Sequence, residues 1–569
     1  PVAAGSGDTA TCIYTKEHCI MRLFSFPRGF TRNIGFLGIA LAAACGPSHE
    51  STRPAPNQVP DSLEPFTARV AVQERVLNTV NPLLFGDNIE WTNDGMGIWL
   101  RDEKKFDEAL LEEIRAAGVT HLRYPGGTLS DFFHWHHAIG PNRRPIPNPF
   151  AEPKGRPDYP YFGPDEFMSL CRTLGIPGTI TLNAGTGTAD EAASWIKYLQ
   201  DHQFPVTDYT LGNEIYMAKS LGEPVPDLPI DKNPEQYVDL YEQIKTAIDP
   251  VTPGVKLGVV GFYDPNQFSL SIYKDWMEVI LGRLGGQAPF IDVHCGYYPI
   301  LRGTLDPNAP LSSDDDYARC MMASSIFAET ILAAIKNEIK TYAPHGGGSV
   351  GIHLTEYGPL VYPVRQDRAV EDVAWNRSLA GALYLASLYH VFFKDPVITS
   401  ANHLPLCQDI FGALIGIRGE YPNRRHWRNI VFHVFQMYSR MQNRQVLAVA
   451  AEAPGFAIPA IGVVPEMKDV PSLDAAACRT PDGRALSLFL VNRDVYRTAD
   501  VAVDPGSPSY AVQSLTTLTA DSYKAENTPE RPDAVVPRSR DDRPVPDENG
   551  RFQVSLPKHS LTEIQLIRE

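Results

Sequence analysis

Cysteine is scarce in this chain, and the cysteines that are present lack the spacing of a metal site. The 569 residues include 8 cysteines. Those beyond the N-terminal segment are odd in number, lie far apart in apolar surroundings and form no C-x-x-C pair. The sequence therefore argues against a cysteine-ligated metal centre, and we expect buried free thiols. These cysteines are Cys171, Cys295, Cys320, Cys407 and Cys478.

Positive charge is also in short supply. The chain has 51 Lys and Arg against 67 Asp and Glu, a net charge of -16. This balance argues against nucleic acid or an anionic membrane surface as a partner. Hydrophobic residues make up 43% and charged residues 21%, as in ordinary soluble proteins. At this length one compact core is not expected, so the chain predicts a large domain and a smaller one.

The apolar run near the N-terminus is too short for a membrane-spanning helix. Residues 34–44 are apolar, follow a basic stretch that begins at Met21 without an acid, and end in small residues before Cys45. This layout is typical of a secretory signal. The small residues before Cys45 resemble a bacterial lipoprotein signal, in which that cysteine carries the lipid. An ordinary signal cut near Ala44 is the alternative.

The N-terminal segments follow from this interpretation. Residues 21–44 are predicted to be the signal peptide, and the Pro- and Ser-rich residues 45–66 a tether. Residues 1–20 precede a start methionine and are expected to be an extension absent from the natural product. The protein is expected to be exported to the cell envelope. There it would be lipid-anchored, in the periplasm or on the outer-membrane surface; without lipid it would be secreted.

Strand-like and helix-like segments alternate from about residue 81 to residue 440. Eight strands with helices between them predict an α/β fold, the (β/α)8 TIM barrel. A doubly wound open sheet gives the same alternation but usually has a glycine-rich phosphate turn after its first strand, and Gly86-Asp-Asn-Ile is not one. The predicted strands are 83–89, 119–124, 178–182, 206–211, 255–260, 290–294, 350–354 and 397–401. The clearest predicted helices are 105–117, 189–200, 234–248, 317–342 and 370–393.

Beyond about residue 440 the long helices disappear. Alternating stretches such as Ala485-Leu-Ser-Leu-Phe-Leu-Val-Asn and Phe552-Gln-Val-Ser-Leu are separated by Pro, Gly and Asp turns. Residues 441–569 are therefore predicted to form an antiparallel β-sandwich. Residues 67–80 also have strand character and are expected to join it before the chain enters the barrel.

Two glutamates carry most of the chemistry. Glu214 ends Thr210-Leu-Gly-Asn-Glu214, and Glu356 lies in Ile352-His-Leu-Thr-Glu356-Tyr-Gly. They close the fourth and seventh predicted strands, and catalytic groups of barrel enzymes lie at the C-terminal tips of strands. Two facing carboxylates are the minimum equipment for cleaving a glycosidic bond. Taken singly, each could be a solvated strand-end glutamate, so the prediction depends on the pair.

Several motifs in one order resemble family 51 of the glycoside hydrolases. That family consists of retaining α-L-arabinofuranosidases of barrel clan A, and the similarity runs from about residue 80 to the C-terminus. It covers both domains, which a chance match of short motifs would not do. The motifs in the barrel are Leu122-Arg-Tyr-Pro-Gly-Gly127, Ile139-Gly-Pro, Asn183-Ala-Gly-Thr-Gly-Thr-Ala-Asp-Glu-Ala-Ala193 and Gly212-Asn-Glu214; those in the sandwich are Val491-Asn-Arg493, Glu526-Asn-Thr-Pro-Glu530 and Leu556-Pro-Lys-His-Ser560.

The resemblance implies a role for each matching position. Glu214 resembles the acid/base and Glu356 the nucleophile of the family. An arginine and a phenol beside Glu356 are expected to lower its pKa. The substrate-binding positions implied are Asn213, which would hold the sugar 2-hydroxyl, Glu90, which would grip the furanose, Arg123, which would support the nucleophile, and His294 with Tyr297, the tyrosine donor to the nucleophile.

Three positions depart from the family pattern. Thr128 replaces an asparagine that contacts the sugar, Tyr357 replaces a tryptophan after the nucleophile, and Pro405 replaces a glutamine after the eighth strand. The extra residues Cys295-Gly296 leave Tyr297 and Tyr298 as alternatives for the tyrosine donor. The reaction class is therefore predicted more firmly than the sugar.

No cofactor or metal is predicted. His134-Trp-His136-His137 has the ligand types of a metal site but no fourth ligand at a suitable spacing, so Trp135 is expected to be a stacking platform for a sugar ring instead. Gly185-Thr-Gly187 lacks the third glycine of a nucleotide-binding turn and is expected to cap the next helix.

The partner predicted is a carbohydrate substrate, with a membrane reached only through a lipid anchor; a homo-oligomer remains open. Two alternative functions are compatible with the same barrel fold. One is an endo-β-glucanase or another furanosidase, such as a galactofuranosidase. The other is a surface lipoprotein that binds glycans without turnover, although a barrel that has lost catalysis usually lacks one of the two carboxylates.

Overall fold

The computed structural model describes residues 63–568 except 222, 251, 264–270, 295–311, 344–346, 362–368 and 409–410. Its larger part is a closed barrel of eight parallel strands, which confirms the predicted fold class. The first strand pairs with the eighth and the second, so the sheet has no free edge. In chain order the barrel strands are Gly86–Asn88, His121–Tyr124, Gly178–Leu182, Val206–Leu211, Leu257–Val260, Phe290–Asp292, Gly351–Tyr357 and Ile398–His403.

A helix follows every barrel strand. Side-chain caps begin several of them: Asp107, Thr188, Asn233, Ser313 and Ser378 each accept a hydrogen bond from a backbone N–H of the first turn. The cap at Thr188 confirms the role predicted for the glycine-containing loop before it. The eight helices that follow the strands are Glu108–Ala117, Pro164–Leu174, Ala189–Asp201, Pro234–Ile248, Trp276–Leu284, Asp314–Tyr342, Leu379–Lys394 and Ile430–Ser439.

Short elements fill the loops. They comprise the α-helical turns Asn93–Met96, Ala218–Leu221 and Ala369–Ala374, the 3-10 turns Pro82–Leu84, Thr128–Phe132, Trp135–His137, Ile215–Met217, Gly285–Gln287, Gly347–Ser349 and Trp375–Arg377, and the two-stranded pairs Trp99–Leu100 with Lys105–Phe106, Ile146–Pro147 with Pro157–Asp158, Ile415–Arg418 with Arg425–Arg428 and Gly455–Ile458 with Met467–Pro471.

The predicted helix 370–393 is wrong in one respect, because the structure divides it. A helix over Ala369–Ala374 gives way to a 3-10 turn at Trp375–Arg377, and a new helix runs over Leu379–Lys394. Ser378 has extended backbone angles, and its hydroxyl accepts from the N–H of Gly381 at 3.2 Å. A serine that caps a new helix cannot continue the old one, so the apolar run alone was a misleading signal.

The sixth barrel helix, Asp314–Tyr342, is long and apolar enough to cross a membrane. Within the described residues it is a core element instead, since 67% of its most apolar window is buried inside the protein. It packs against the helices Leu379–Lys394 and Trp276–Leu284. Four of the predicted free thiols, Cys171, Cys320, Cys407 and Cys478, are free and buried; Cys295 lies outside the described residues.

The C-terminal part forms a nine-stranded sheet that also takes in the first strand of the described chain. The pairs are antiparallel except that Phe66–Thr79 runs parallel to Ala499–Asp504. The remaining strands are Gln445–Glu452, Leu473–Arg479, Ala485–Asn492, Tyr510–Leu518, Arg538–Arg540, Phe552–Leu556 and Ser560–Arg568.

The sheet folds over its own core and docks on the barrel with its other face. Phe66 and Phe552, near one edge, share one apolar cluster with Leu488 and Leu515 toward the other edge, as in a sandwich. Between these inward residues, Phe489 points the opposite way and belongs to the barrel's core cluster. Successive side chains of one strand point to opposite faces of the sheet, so the same strand contributes to the core of the sandwich and to the contact with the barrel.

A buried charge network fastens the sheet to the barrel helices. Asp474 Oδ2 accepts from Arg493 Nη2 at 2.8 Å and lies 2.9 Å from His390 Nδ1. Arg493 also donates to Ser325 Oγ at 3.0 Å, and His390 Nε2 lies 2.6 Å from the Tyr438 hydroxyl. Burial would raise the pKa of Asp474, but Arg493 and His390 outweigh it and hold that pKa well below its usual range.

Replacing Asp474 with alanine is expected to destabilise the protein by about 3–5 kcal/mol, because Arg493 would keep a buried charge without its partner. The measurement is urea unfolding followed by intrinsic fluorescence. Because the pKa of Asp474 is lowered in the folded state, its contribution is present above the unfolded pKa of about 3.9 and is lost as the pH falls further.

The matched control is Asp314→Ala, which removes an exposed pair at the same domain boundary, 2.9 Å from Lys524. That pair should contribute about 0–1 kcal/mol. Equal effects of the two substitutions would show that the buried network does not hold the sheet on the barrel.

Candidate active site

The two predicted glutamates come together at the C-terminal mouth of the barrel. Glu214 follows the fourth strand after a tight turn at Gly212, whose φ is +74° and whose Cα faces Ala184 too closely for a side chain. Glu356 lies inside the seventh strand, Gly351–Tyr357, rather than after it. An oxygen of each carboxylate lies within 4.8 Å of the other. The two glutamates that the sequence predicts to face each other thus lie close together in the structure.

His294 lies between the two carboxylates. Its Nδ1 is 2.8 Å from Glu214 Oε1 and 3.7 Å from Glu356 Oε2. Burial opposes protonation of this imidazole, but Glu356 and Glu214 outweigh it and raise the pKa of His294 to about 9. The ring is thus a cation at neutral pH, and its contribution to stability would be lost as the pH rises through that value. The resemblance implies a substrate-binding role for His294, and the structure places its ring against both Glu214 and Glu356.

Arg123 supports Glu356 from below, as the resemblance implied. The guanidinium is fully buried; its Nη1 donates to Glu356 Oε1 at 3.1 Å and to Asn88 Oδ1 at 3.0 Å. Its Nη2 donates to Asn213 Oδ1 at 2.7 Å. A single arginine therefore fixes three side chains from three barrel strands or their ends.

The expected lowering of the pKa of Glu356 is wrong. Burial is the largest influence and raises that pKa, and the negative charge of Glu214 acts in the same direction. His294 and Arg123 oppose this rise without cancelling it. The reason is that a carboxylate deep in the barrel loses hydration that two neighbouring cations only partly replace. The sequence could indicate a cation near Glu356 but not the depth at which both side chains are buried.

Asn213 and Gly127 shape the space in front of Glu356. Because Asn213 Oδ1 is engaged by Arg123, its Nδ2 is the group left to donate to a ligand. A Cβ on Gly127 would lie 2.8 Å from Glu356 Oε1 and 3.6 Å from Asn213 Nδ2. Glycine at this position therefore keeps open the place where a sugar hydroxyl would meet both residues.

Glu90 lies beside this space, after the first barrel strand. Thr92 Oγ1 donates to Glu90 Oε2 at 3.1 Å. Burial raises the pKa of Glu90 to about 7, the bond from Thr92 opposes the rise, and the charge of Glu356 adds to it. Near neutral pH this carboxyl group can therefore both donate and accept a hydrogen bond, which suits a ligand with hydroxyl groups.

A buried polar layer beneath these residues was missed by sequence reasoning. Asn88 Nδ2 donates to the carbonyl oxygens of Thr355 at 2.8 Å and His403 at 3.0 Å, so it ties the first strand to the seventh and eighth. Asp87 Oδ2 lies 3.2 Å from His403 Nδ1. The signal available was two polar residues, Asp87 and Asn88, inside an otherwise apolar strand.

Trp135 is not the stacking platform that was predicted. Its side chain is buried at 8% exposure, and its indole N–H donates to the carbonyl oxygen of Glu191 at 3.2 Å. His134 and His136 lie 3.0 and 3.3 Å from the Glu191 carboxylate. A tryptophan in a loop is often exposed, but here the loop folds back on the third barrel helix and covers it.

Glu214, His294 and Glu356 also have the ligand types of a metal site, since one ligand atom of each lies within 4.8 Å of the others. The contacts suit proton chemistry, because His294 Nδ1 lies at hydrogen-bond distance, 2.8 Å, from Glu214 Oε1. Arg123 already places a positive charge on Glu356.

Both domains of the chain are similar to known α-L-arabinofuranosidases. Residues 362–560 match the family model described as the alpha-L-arabinofuranosidase C-terminal domain. The chain is 22% identical over 500 residues to a protein named intracellular exo-alpha-L-arabinofuranosidase from Bacteroides ovatus, covering 83% of this chain and 89% of that one. It is 24% identical over 521 residues to the exo-alpha-(1->6)-L-arabinofuranosidase of Bifidobacterium longum, covering 86% and 94%.

These matches are to α-L-arabinofuranosidases and extend over both domains of the chain. Solved structures agree in fold. The family 51 arabinofuranosidase of Xanthomonas axonopodis pv. citri superimposes with a TM-score of 0.72 at 20% identity, covering 88% of this chain and 100% of that one. The arabinose complex of the Thermotoga maritima enzyme gives 0.71 at 21% identity, covering 88% and 99%.

The three departures from the family 51 pattern fall at different depths. Tyr357 is fully buried, and its hydroxyl lies 2.8 Å from that of Tyr389, so this change affects packing between the barrel and its helices. Pro405 is buried beyond the eighth strand. Thr128 opens the 3-10 turn directly after Gly127, the glycine whose Cβ position faces Glu356 Oε1. Tyr297 and Tyr298 lie outside the described residues.

Proposed function

We propose that this protein is a retaining exo-acting α-L-arabinofuranosidase that releases terminal arabinofuranosyl residues from plant-type polysaccharides or oligosaccharides. The observation that carries the mechanism is the approach of the Glu214 and Glu356 carboxylates to within 4.8 Å, measured between oxygens. Retaining glycosidases hold their carboxyl groups about 5–5.5 Å apart, whereas inverting ones need roughly 6.5–9.5 Å to fit a water molecule. An approach this close between single oxygens is compatible with the retaining spacing, and the resemblance to the retaining family adds the support for double displacement.

In the first step a Glu356 oxygen attacks the anomeric carbon and forms an ester bond to the sugar. The glycosidic C–O bond breaks, and Glu214 gives its proton to the departing oxygen. Arg123 and protonated His294 favour the ionised form of Glu356 that this step needs. The bond from His294 to Glu214 Oε1 leaves Oε2 of that carboxyl group to carry the transferred proton.

In the second step Glu214 removes a proton from water. The resulting hydroxide oxygen bonds to the anomeric carbon, and the ester bond to Glu356 breaks, so the sugar leaves with its original configuration. Asn213 Nδ2 and Glu90 are placed to hold sugar hydroxyls throughout, since both border the open space over Gly127 and Gly126. No cofactor takes part.

The test is a panel of nitrophenyl glycosides carrying arabinofuranose, galactofuranose, xylose or glucose. We expect kcat/KM to be highest by far for the α-L-arabinofuranoside. Preference for the galactofuranoside would assign a different furanosidase to the same scaffold, and hydrolysis of the glucoside alone would favour the glucanase. Absence of turnover on every member, with glycan binding retained, would favour a binding protein.

We further propose that the protein is exported and lipid-anchored through Cys45. The support is the signal-like sequence alone, since residues 1–62 lie outside the described part of the chain. The relative from Bacteroides ovatus carries the word intracellular in its name, so the location needs its own experiment.

Wild-type protein expressed with this leader in a bacterium that lipidates such cysteines is expected to fractionate with membranes, and Cys45→Ser to be released or left unprocessed. The physical reason is that several acyl chains hold a protein on a bilayer, whereas one chain binds marginally. Fractionation followed by immunoblotting measures this. A wild-type protein found wholly in the soluble fraction would contradict the anchor.

A further inference from the structure

A wide cleft leads away from the catalytic centre. Its volume is about 1130 Å³, and its lining includes Glu90, which also borders the space in front of Glu356. The walls come from residues 91–103, 156–161, 407–408 and 417–424. These segments follow the first, second and eighth barrel strands, so the cleft lies on the face of the barrel that carries the chemistry. A single furanose ring would fill a small part of it.

The cleft gathers exposed aromatic rings. Tyr159, Tyr161 and Tyr421 are 39%, 41% and 47% exposed, and every tyrosine of the described residues with that degree of exposure lies in this lining. Such clustering is unlike the scatter of single apolar residues on an ordinary surface. Aromatic rings with an exposed face and a polar hydroxyl suit ligands that have one apolar and one hydroxylated side, as sugar rings do.

The tyrosines are held in place before any ligand arrives. The rings of Tyr159 and Tyr161 lie 4.6 Å apart. The guanidinium of Arg101 lies 4.9 Å from the centre of the Tyr161 ring and 3.7 Å from Asp94. A platform that is already ordered costs little entropy when it binds.

The charge of the cleft lining favours neutral glycans over acidic ones. It carries six carboxyl groups against three arginines and no lysine. An excess of acids repels uronate-rich chains and tolerates neutral ones. The ligand that fits is therefore a neutral oligosaccharide.

We propose that this cleft binds the further sugar units of a neutral glycan chain whose terminal arabinofuranosyl residue occupies the catalytic centre. The proposal rests on the proposed function for the identity of that terminal residue. The binding surface itself stands on the tyrosines, the volume and the charge. It makes the enzyme prefer oligosaccharides over isolated aryl glycosides.

The test compares wild type with the double variant Tyr159→Ala/Tyr161→Ala. On a neutral arabino-oligosaccharide of about five units we expect a roughly tenfold or larger rise in KM with kcat nearly unchanged, because stacking is lost while the reacting atoms are untouched. On the nitrophenyl arabinofuranoside both constants should stay within about twofold of wild type, since this small substrate does not reach the tyrosines.

Two controls accompany it. Tyr159→Phe/Tyr161→Phe keeps the rings and should restore most of the affinity, and Phe150→Ala removes an aromatic residue that is 52% exposed nearby but outside the cleft lining. Equal losses with Phe150→Ala would overturn the proposal, as would an unchanged KM in the double alanine variant. Tighter binding of an oligogalacturonide than of the neutral chain would also overturn it.

A binding measurement on inactive variants tests the cleft independently of the proposed hydrolytic activity. Calorimetric titration of Glu356→Gln and of Glu356→Gln/Tyr159→Ala/Tyr161→Ala with the same oligosaccharide needs no turnover. A weaker Kd in the triple variant supports the cleft even if the nitrophenyl arabinofuranoside is not a substrate. Equal Kd values overturn the cleft even if that substrate is hydrolysed.

Discussion

Replacing Glu356 with alanine is expected to abolish turnover, by roughly 10⁴- to 10⁶-fold in kcat. Glu356 lies in the seventh barrel strand with its carboxylate within 4.8 Å of Glu214, where a nucleophile would attack the anomeric carbon. The shortened side chain leaves room for a small anion, so azide should restore part of the activity on a nitrophenyl arabinofuranoside. The product should be the glycosyl azide of inverted configuration, because a single displacement replaces two.

A second variant, Glu356→Gln, separates the loss of catalysis from a loss of folding stability. Glu356→Ala leaves the fully buried Arg123 without its carboxylate, which alone can destabilise the barrel. Glu356→Gln keeps an oxygen for Arg123 Nη1 yet cannot serve as the nucleophile. It should be equally inactive and closer to wild type in melting temperature. Full activity of either variant without azide would remove Glu356 from the role.

The barrel was predictable because its signals are local. Buried parallel strands appear as short apolar runs, and helix starts appear as capping residues such as Asn233. The predicted strands 178–182 and 206–211 coincide with those observed. The broken helix at Ser378 shows the limit of this approach. An apolar run of the right length conceals a cap when the cap residue is itself buried.

The close approach of Glu214 and Glu356 was predictable for a related reason. Strand order along the chain becomes position around a closed barrel, so residues ending the fourth and seventh strands must share its mouth. Burial depth does not follow from order. Strand order therefore predicted that Glu214 lies beside Glu356, but the predicted direction of the Glu356 pKa shift was wrong. Trp135 was predicted to be exposed, and the structure buries it.

Contacts between distant parts of the chain were beyond reach. Asn88 and His403 are 315 positions apart and meet because the first and eighth strands close the barrel. Asp474 meets His390 only when the sheet docks on the helices. Each pair looks unremarkable in its own segment. A buried polar residue becomes interpretable when its partner is known.

Replacing Glu214 with alanine should separate substrates by their leaving groups. An alkoxide cannot depart unprotonated, so turnover of an arabino-oligosaccharide should fall by about 10²- to 10⁴-fold, the usual contribution of a general acid. A nitrophenolate leaves without a proton, so the first step on the aryl glycoside should survive. The glycosyl-enzyme should then accumulate, because water has lost its base. Stopped-flow release of nitrophenol should show a burst followed by slow turnover.

Azide distinguishes this variant from the one at Glu356. In Glu214→Ala the anion attacks the glycosyl-enzyme after the first inversion, so the glycosyl azide should have retained configuration, opposite to that expected from Glu356→Ala. Glu214→Gln is the matched control, since it preserves an oxygen 2.8 Å from His294 Nδ1 and still cannot transfer a proton. The limb of the pH profile that the proton donor governs should move or vanish in both. Equal losses on both substrates without a burst would mean that Glu214 is not the acid/base, and a loss confined to weaker binding would favour a protein that holds glycans without cleaving them.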